Sequence, residues 1–326
     1  MVYLSVPTLH QIEAIETVLN AGKLNYQREK EAFFIHVEEL ETFLTSLHKI
    51  GFHQLEKDGI RLFPVFPKES EAVAALKRMK SLSDWEAFYR CLDLIDILEA
   101  RRLKVMFQPV IDLKNDTVFG YEALIRGLDA SGNLVHPITL FEQAKQTDLL
   151  FYLDRLCRET IIEIADKKGI QEKLFINFIP TSIYDPEKCL KTTDAAIAKS
   201  NLSPEQVVFE VVESEYVHDY EHLSSILNYY RGKGYSTAVD DLGAGYADAS
   251  SLLALRPVYA KIDRSIIHNI HRNPVNQIRL QEDLKLADTY GIIPLAEGVE
   301  SLEELQYIKE AGIPLAQGYY LGIPKE

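Results

Sequence analysis

Between residues 105 and 326, short β-rich apolar runs alternate with longer stretches of helical periodicity, and no feature of the chain restricts its fold more. Strand, amphipathic helix and strand make a βα unit, and such units stack their strands side by side with the helices outside. The runs that qualify are 106–111 (MFQPVI), 121–125 (YEALI), 174–178 (LFINF), 207–212 (VVFEVV), 236–240 (STAVD), 259–263 (YAKID), 293–297 (IPLAE) and 315–320 (LAQGYY). Helix starts between them carry their own caps. In Ser203-Pro204-Glu205-Gln206 and Ser301-Leu302-Glu303-Glu304 a hydroxyl stands three residues ahead of Glu or Gln, which is the capping-box spacing. Eight strands with helices between them predict a TIM-like (β/α)8 barrel over 105–326.

The first third reads differently. Over residues 1–67 the order is strand 2–6, helix 9–20, strands 24–28 and 32–37, helix 38–50 and strand 60–66. That βαββαβ pattern predicts a smaller ferredoxin-like α+β domain. Residues 68–104 turn helical, with Ala72, Ala75, Leu76 and Met79 on one stripe and Leu92, Leu94, Ile95 and Leu98 on another. They read as a helical connector or an outer wall of the barrel. No phosphosite, haem or flavin motif precedes Val105, so the N-terminal domain is expected to regulate or dimerise the protein.

Charge narrows the partners. Lys and Arg total 35 against 49 Asp and Glu, a formal charge of −14, the wrong sign for capturing DNA, RNA or an acidic membrane surface. The apolar runs are short and the first residues lack a basic and then apolar leader, so a cytoplasmic location is expected. Cys91, Cys157 and Cys189 have no CxxC spacing and are expected as buried thiols.

Strands lining a barrel should be apolar, yet these carry Glu122, Asn177, Glu210, Asp240 with Asp241, Lys261, Glu297 and Gln317 within or at the end of their runs. Burying an unpaired carboxylate costs several kcal/mol, so repetition of this kind requires compensating cations. Five carboxylates and a carboxamide are hard oxygen donors, suited to Mg²⁺ or Mn²⁺. Five negative charges against Lys261 and Arg126 leave −3, which two divalent ions would turn to +1, a charge that attracts a phosphodiester. The adjacent pair Asp240-Asp241 suits a bridge between two ions.

These residues resemble a known family. Glu122-Ala123-Leu124 within FQPVIDLKNDTVFGYEALIRG, DDLGAGY at 240–246, AKIDRS at 260–265, AEGVE at 296–300 and QGYYLG at 317–322 are similar to the EAL domain, a family of metal-dependent phosphodiesterases that linearise cyclic di-GMP to 5′-pGpG. The resemblance covers about two thirds of the chain. It implies a barrel whose first strand runs against the others, a homodimer, two Mg²⁺ or Mn²⁺ ions per site, and in-line attack by an activated water. Carried over by position, it makes Glu122, Asn177, Glu210 and Asp240 ligands of one ion, with Asp241, and Glu297 directly or through water, serving the second. Lys261, with Glu122 and Glu297, takes the catalytic part, orienting the water. Arg126, Gln108 and Gln317 are implied as substrate-binding, with Gln317 and Glu300 also packed around the ligands. Glu213 would steady the loop after Asp241. Within that loop Leu242 stands where the family has phenylalanine, and Ala247-Asp248 where it has a serine pair.

Taken singly, most of these residues have duller readings, as edge carboxylates, turn residues or surface lysines. His218 and His222 lack the HExxH pairing of a zinc protease. His268 and His271 read as helix-end decoration and Tyr319-Tyr320 as packing. The rival to an enzyme is a catalytically inactive cyclic di-GMP receptor or protein-interaction module on the same fold.

Overall fold

The computed structural model describes residues 2–37, 40–64, 80–183, 185–211, 220–242 and 255–326. The chain divides into two compact units, Met1–Asp96 with Ile138–Leu149, and Ile97–Pro137 with Leu150–Glu326.

In the first unit, β1 (Val2–Ser5), β2 (Tyr26–Glu29), β3 (Ala32–Ile35), β4 (Arg61–Pro64) and β5 (Lys80–Ser81) form one sheet in the order β2-β3-β1-β4-β5. All its pairings are antiparallel. Each crossover is split by one strand, with β3 between β1 and β2, and β1 between β3 and β4. The strands alternate, so Val2 and Leu4 of β1 and Phe33 and Ile35 of β3 point into one core. Helix Leu9–Ala21 meets that core through Ile12, Ile15 and Leu19, a spacing of three and four residues that makes one stripe. Leu82 is buried in the same core, Trp85 and Tyr89 pack on it, and the Trp85 indole donates to Leu62 O at 3.1 Å. Helix Leu82–Arg90 therefore closes this core, where the sequence pattern reads as connector. The stripe from Ala72 to Met79 lies outside the described residues.

The second unit is built on β6 (Leu103–Asp112), β7 (Thr117–Leu128), β8 (Leu134–Val135), β9 (Lys173–Phe178), β10 (Val207–Val211), β11 (Ser236–Leu242), β12 (Tyr259–Ile262), β13 (Ile293–Ala296) and β14 (Leu315–Ala316). Strand pairing runs β6-β14-β13-β12-β11-β10-β9-β7 and returns from β7 to β6, so eight strands close a barrel, with β8 added outside. Around the barrel the pairings from β7 to β9 and on through β14 are parallel, and only β6 runs antiparallel to both neighbours, while β8 pairs antiparallel to β7 outside it. The cause is local: Asp112 accepts from the N–H groups of Lys114 and Asn115 at 2.9 and 3.1 Å. That Asx turn makes β6 and β7 a hairpin, which no crossover helix can parallelise. The later strands are joined through helices that include Leu150–Lys168, Lys191–Lys199, Tyr220–Gly232, Pro274–Tyr290 and Leu302–Glu310. Both expected capping boxes are present, at Ser301 with Glu304 and at Ser203 with Gln206, the latter opening a 3₁₀ turn. Cys91, Cys157 and Cys189 are free and buried. Among the described residues no helix is long and apolar enough to cross a membrane.

Candidate active site

Inside the barrel Val110, Phe175, Val208, Ala238, Tyr259, Leu295 and Leu315 form one apolar layer. Side chains of a strand return to the same face every second residue. Two residues further along each parallel strand stand Asn177, Glu210, Asp240, Lys261, Glu297 and Gln317. On reversed β6 the count runs backwards, from Val110 to Gln108, and Gln108 pairs in register with Glu122 of β7. Eight strands thus raise eight polar residues above an apolar floor, at the carboxyl ends of the parallel strands, where barrels gather their chemistry.

At the centre is Lys261, 2% exposed. Its Nζ lies 2.5 Å from Glu297 Oε1, 3.6 Å from Glu122 Oε1 and 3.7 Å from Asp240 Oδ1, and it contacts Glu210 Oε1. Four carboxylates face one ammonium, a net −3 if all are ionised. Burial pulls the Lys261 pKa down, but Asp240, Glu122, Glu210 and Glu297 outweigh it and hold the group well above its usual value. Burial drives Glu210 well above the usual carboxylate range; Lys261 opposes this while Glu122, Asp240 and Glu297 add to it. Burial raises Glu297 in the same way. Glu122 goes the other way, because Lys261 and the amides of Gln317 and Asn177 overcome its burial and hold it low.

Those pairings also orient the carboxylates. Asn177 Nδ2 donates to Glu122 Oε1 at 3.0 Å and Gln317 Nε2 to Glu122 Oε2 at 2.6 Å. Glu210 Oε2 has no hydrogen-bond partner among the described residues, and neither has Gln317 Oε1. A buried carboxylate oxygen without a donor is costly unless a cation takes it. Oxygens of Glu210, Asp240 and Glu297 lie within 4.8 Å of one another, close enough to share a divalent ion, and the donor set is all oxygen.

Support for Asn177 comes from residues the sequence reading misses. Asp154, buried on helix Leu150–Lys168, accepts from Ile179 N at 3.1 Å and Ser182 Oγ at 2.9 Å, and pairs with the fully buried Arg158, whose Nε reaches Thr193 Oγ1 at 3.2 Å. This network pins the backbone two residues after Asn177. Asp and Arg four residues apart in an amphipathic helix look like an ordinary surface pair, and only the apolar residues on the same stripe hint otherwise.

The other expected residues fall as follows. Arg126 lies on the same strand face as Glu122, about 13 Å further along at the usual strand rise, and its Nη1 donates to Ile125 O at 2.7 Å. Gln108 spends its amide inside the protein, on Gln317 and Gly322 O. Glu300 pairs with Arg264 at 2.8 Å, and its N–H donates to Glu304 Oε2 at 2.8 Å, outside the carboxylate cluster. Asp241 and Leu242 end β11, while Glu213, His218 and the Ala247-Asp248 pair lie outside the described residues. His268 sits 3.6 Å from Glu304 Oε1. Tyr319 and Tyr320 are exposed.

A closed barrel with one reversed strand, carrying a carboxylate-lysine centre on its strand ends, defines a class of barrel proteins whose oxygen donors could hold a divalent ion. Residues 93–324 match the EAL domain, and the chain belongs to the EAL domain family. It is 31% identical over 225 residues to the probable cyclic di-GMP phosphodiesterase PdeG of Escherichia coli, a match covering 67% of this chain and 44% of that protein. Among solved structures, a standalone EAL protein from Vibrio cholerae O395 in its c-di-GMP bound form is 38% identical, with a TM-score of 0.63 over 69% of this chain and 92% of that one. The FimX EAL domain from Pseudomonas aeruginosa bound to c-di-GMP is 27% identical, with a TM-score of 0.65 over 72% and 96% of the two chains. The chain spans less than half the length of PdeG and of the next curated relative, PdeB.

Proposed function

We propose that this protein is a metal-dependent phosphodiesterase that opens cyclic di-GMP to linear 5′-pGpG. The observation that carries the proposal is the polar ring itself, in which a buried ammonium stands among four carboxylates left with a net negative charge and an orphaned oxygen. Glu122, Asn177, Glu210 and Asp240 would hold one Mg²⁺ or Mn²⁺ ion, with Asp241 and Glu297 serving a second. When bound, such ions supply a water activated at neutral pH and positive charge for the attacking and leaving oxygens.

Everything else falls to the chain's own residues. Lys261 keeps its proton at any physiological pH, because four carboxylates favour the charged form. It therefore acts as a fixed positive donor that orients the attacking water and offsets charge growing on the phosphoryl oxygens, an interaction stronger in the transition state than in the ground state. Asn177 and Gln317 hold Glu122 in one orientation. Arg126, further out on the same strand face, binds a phosphate of the substrate. The apolar layer beneath the ring keeps water out from below, which strengthens each of these interactions.

The rest of the proposal is a cytoplasmic protein, a homodimer as the family resemblance implies, whose ferredoxin-like N-terminal unit regulates or dimerises it. The test is to incubate purified protein with cyclic di-GMP and Mn²⁺ or EDTA and separate the products. Linear product with Mn²⁺ and none with EDTA is expected; equal turnover in a demonstrably metal-free preparation refutes it.

A further inference from the structure

We propose that Gln108 is a positioning residue that transmits the placement of the C-terminal segment to Glu122. This role rests on the reading of Glu122 as a metal ligand. The contacts begin at Gly322, whose carbonyl can only accept. Gln108 Nε2 donates to it at 3.1 Å, which fixes the Gln108 amide and points its Oε1 the other way, at Gln317. Gln317 Nε2 donates to that oxygen at 3.0 Å and to Glu122 Oε2 at 2.6 Å. Both N–H bonds of the Gln317 amide are then spent.

The alternative orientation of Gln317 would set its Oε1 against two acceptors, Glu122 Oε2 and the Gln108 Oε1 that the anchor at Gly322 aims at it, so carboxylate and anchor together exclude it. Two consequences follow. Glu122 is held on Oε2 by an amide that cannot rotate, and on Oε1 by Asn177 at 3.0 Å, so its lone pairs are aimed before any ion arrives. Gln317 Oε1 is left buried with no donor among the described residues, an acceptor presented to whatever enters the ring.

The anchor is itself built in. Phe107 and Lys325 exchange backbone hydrogen bonds at 2.6 and 3.0 Å, laying the C-terminal segment along β6 beside Gln108. Gly322 fits only because it has no side chain: a Cβ there would come 2.4 Å from Pro109 Cγ. The residue type at 322 thus sets how closely its carbonyl approaches Gln108.

The test uses the full chain, with Mn²⁺ alone as the probe in a calorimetric titration and steady-state kinetics alongside. Gln108→Met keeps the volume and removes both hydrogen bonds. It should weaken Mn²⁺ binding by about 10- to 100-fold, the usual cost of removing a partner that orients a ligand. Gly322→Ala, which leaves every amide in place but drives the carbonyl from Pro109, should shift Mn²⁺ affinity in the same direction and carries the test if Gln108→Met does not fold. Unchanged Mn²⁺ affinity in a folded variant overturns the relay while leaving the metal site intact. A raised KM with unchanged Mn²⁺ affinity also overturns it and gives Gln108 to the substrate. Failure of the wild type to bind Mn²⁺ overturns the metal site, and the relay with it.

Discussion

Replacing Lys261 by methionine removes the only positive charge that meets the four carboxylates among the described residues. At an effective dielectric of about 20, a unit pair 3.6 Å apart, the separation of Lys261 Nζ and Glu122 Oε1, is worth about 4–5 kcal/mol before desolvation. Lys261 makes several such contacts, but its own burial is relieved by the substitution. The net loss should therefore match that for breaking a buried ion pair, about 3–5 kcal/mol. For a domain of this size each kcal/mol moves Tm by about 2–4 °C, so Lys261→Met should lower Tm by about 6–20 °C in EDTA at pH 7. The loss should shrink as pH falls, because Glu210 and Glu297, held high by burial, take up protons instead of facing one another. Thermal unfolding followed by circular dichroism measures all of this. A fall of less than about 3 °C at pH 7, or one that grows as pH is lowered, would refute a cluster held by its lysine.

Glu210→Gln should act in the opposite sense on the metal-free protein, leaving Tm unchanged or higher because it removes a carboxylate that burial disfavours, while abolishing most of the rise that Mn²⁺ produces; a full Mn²⁺ response would remove Glu210 from the ligand set. Because the folded metal-free protein keeps protons on Glu210 and Glu297 above the ordinary value of 4.5, its stability should fall as pH rises from there towards their folded pKa values. Mn²⁺ displaces those protons, so its stabilisation, about 2.7 kcal/mol at a hundredfold excess over Kd, should grow between pH 5 and 8, and a pH-independent response in paired melts would contradict this. Asp154→Asn leaves Arg158 buried without its counter-charge and should cost about 3–5 kcal/mol in urea unfolding; a cost below about 1 kcal/mol would mean that Arg158 finds another partner.

The barrel was legible because its strands and helices obey different periods over a long stretch, and the polar ring because carboxylates recurred where apolar residues were due. The reversal of β6 lay in a different signal, the turn residues of Asp112-Leu113-Lys114-Asn115-Asp116, which periodicity does not weigh. That reversal also explains why Gln108 is hard to place from its strand alone, since on β6 the count from floor to ring runs backwards. Asp154 and Arg158 were invisible for another reason: an i, i+4 ion pair reads as solvent-facing unless the helix is known to be covered on both sides. Glu300 illustrates the converse. Its neighbours in sequence include Glu297 of the carboxylate cluster, yet Arg264 draws its own carboxylate away.

The central claim is that the carboxylate-lysine ring performs hydrolysis and does not merely hold a nucleotide. The measurement that tests it most directly is single-turnover conversion of cyclic di-GMP by excess protein in Mn²⁺, with Lys261→Met beside the wild type and binding of both ion and nucleotide verified in each. The wild type should give linear 5′-pGpG, and the variant a rate lower by about 10²-fold or more, as when one preorganised electrostatic donor is lost. A wild type that binds Mn²⁺ and cyclic di-GMP but returns the cyclic nucleotide intact would contradict it and make the barrel a receptor.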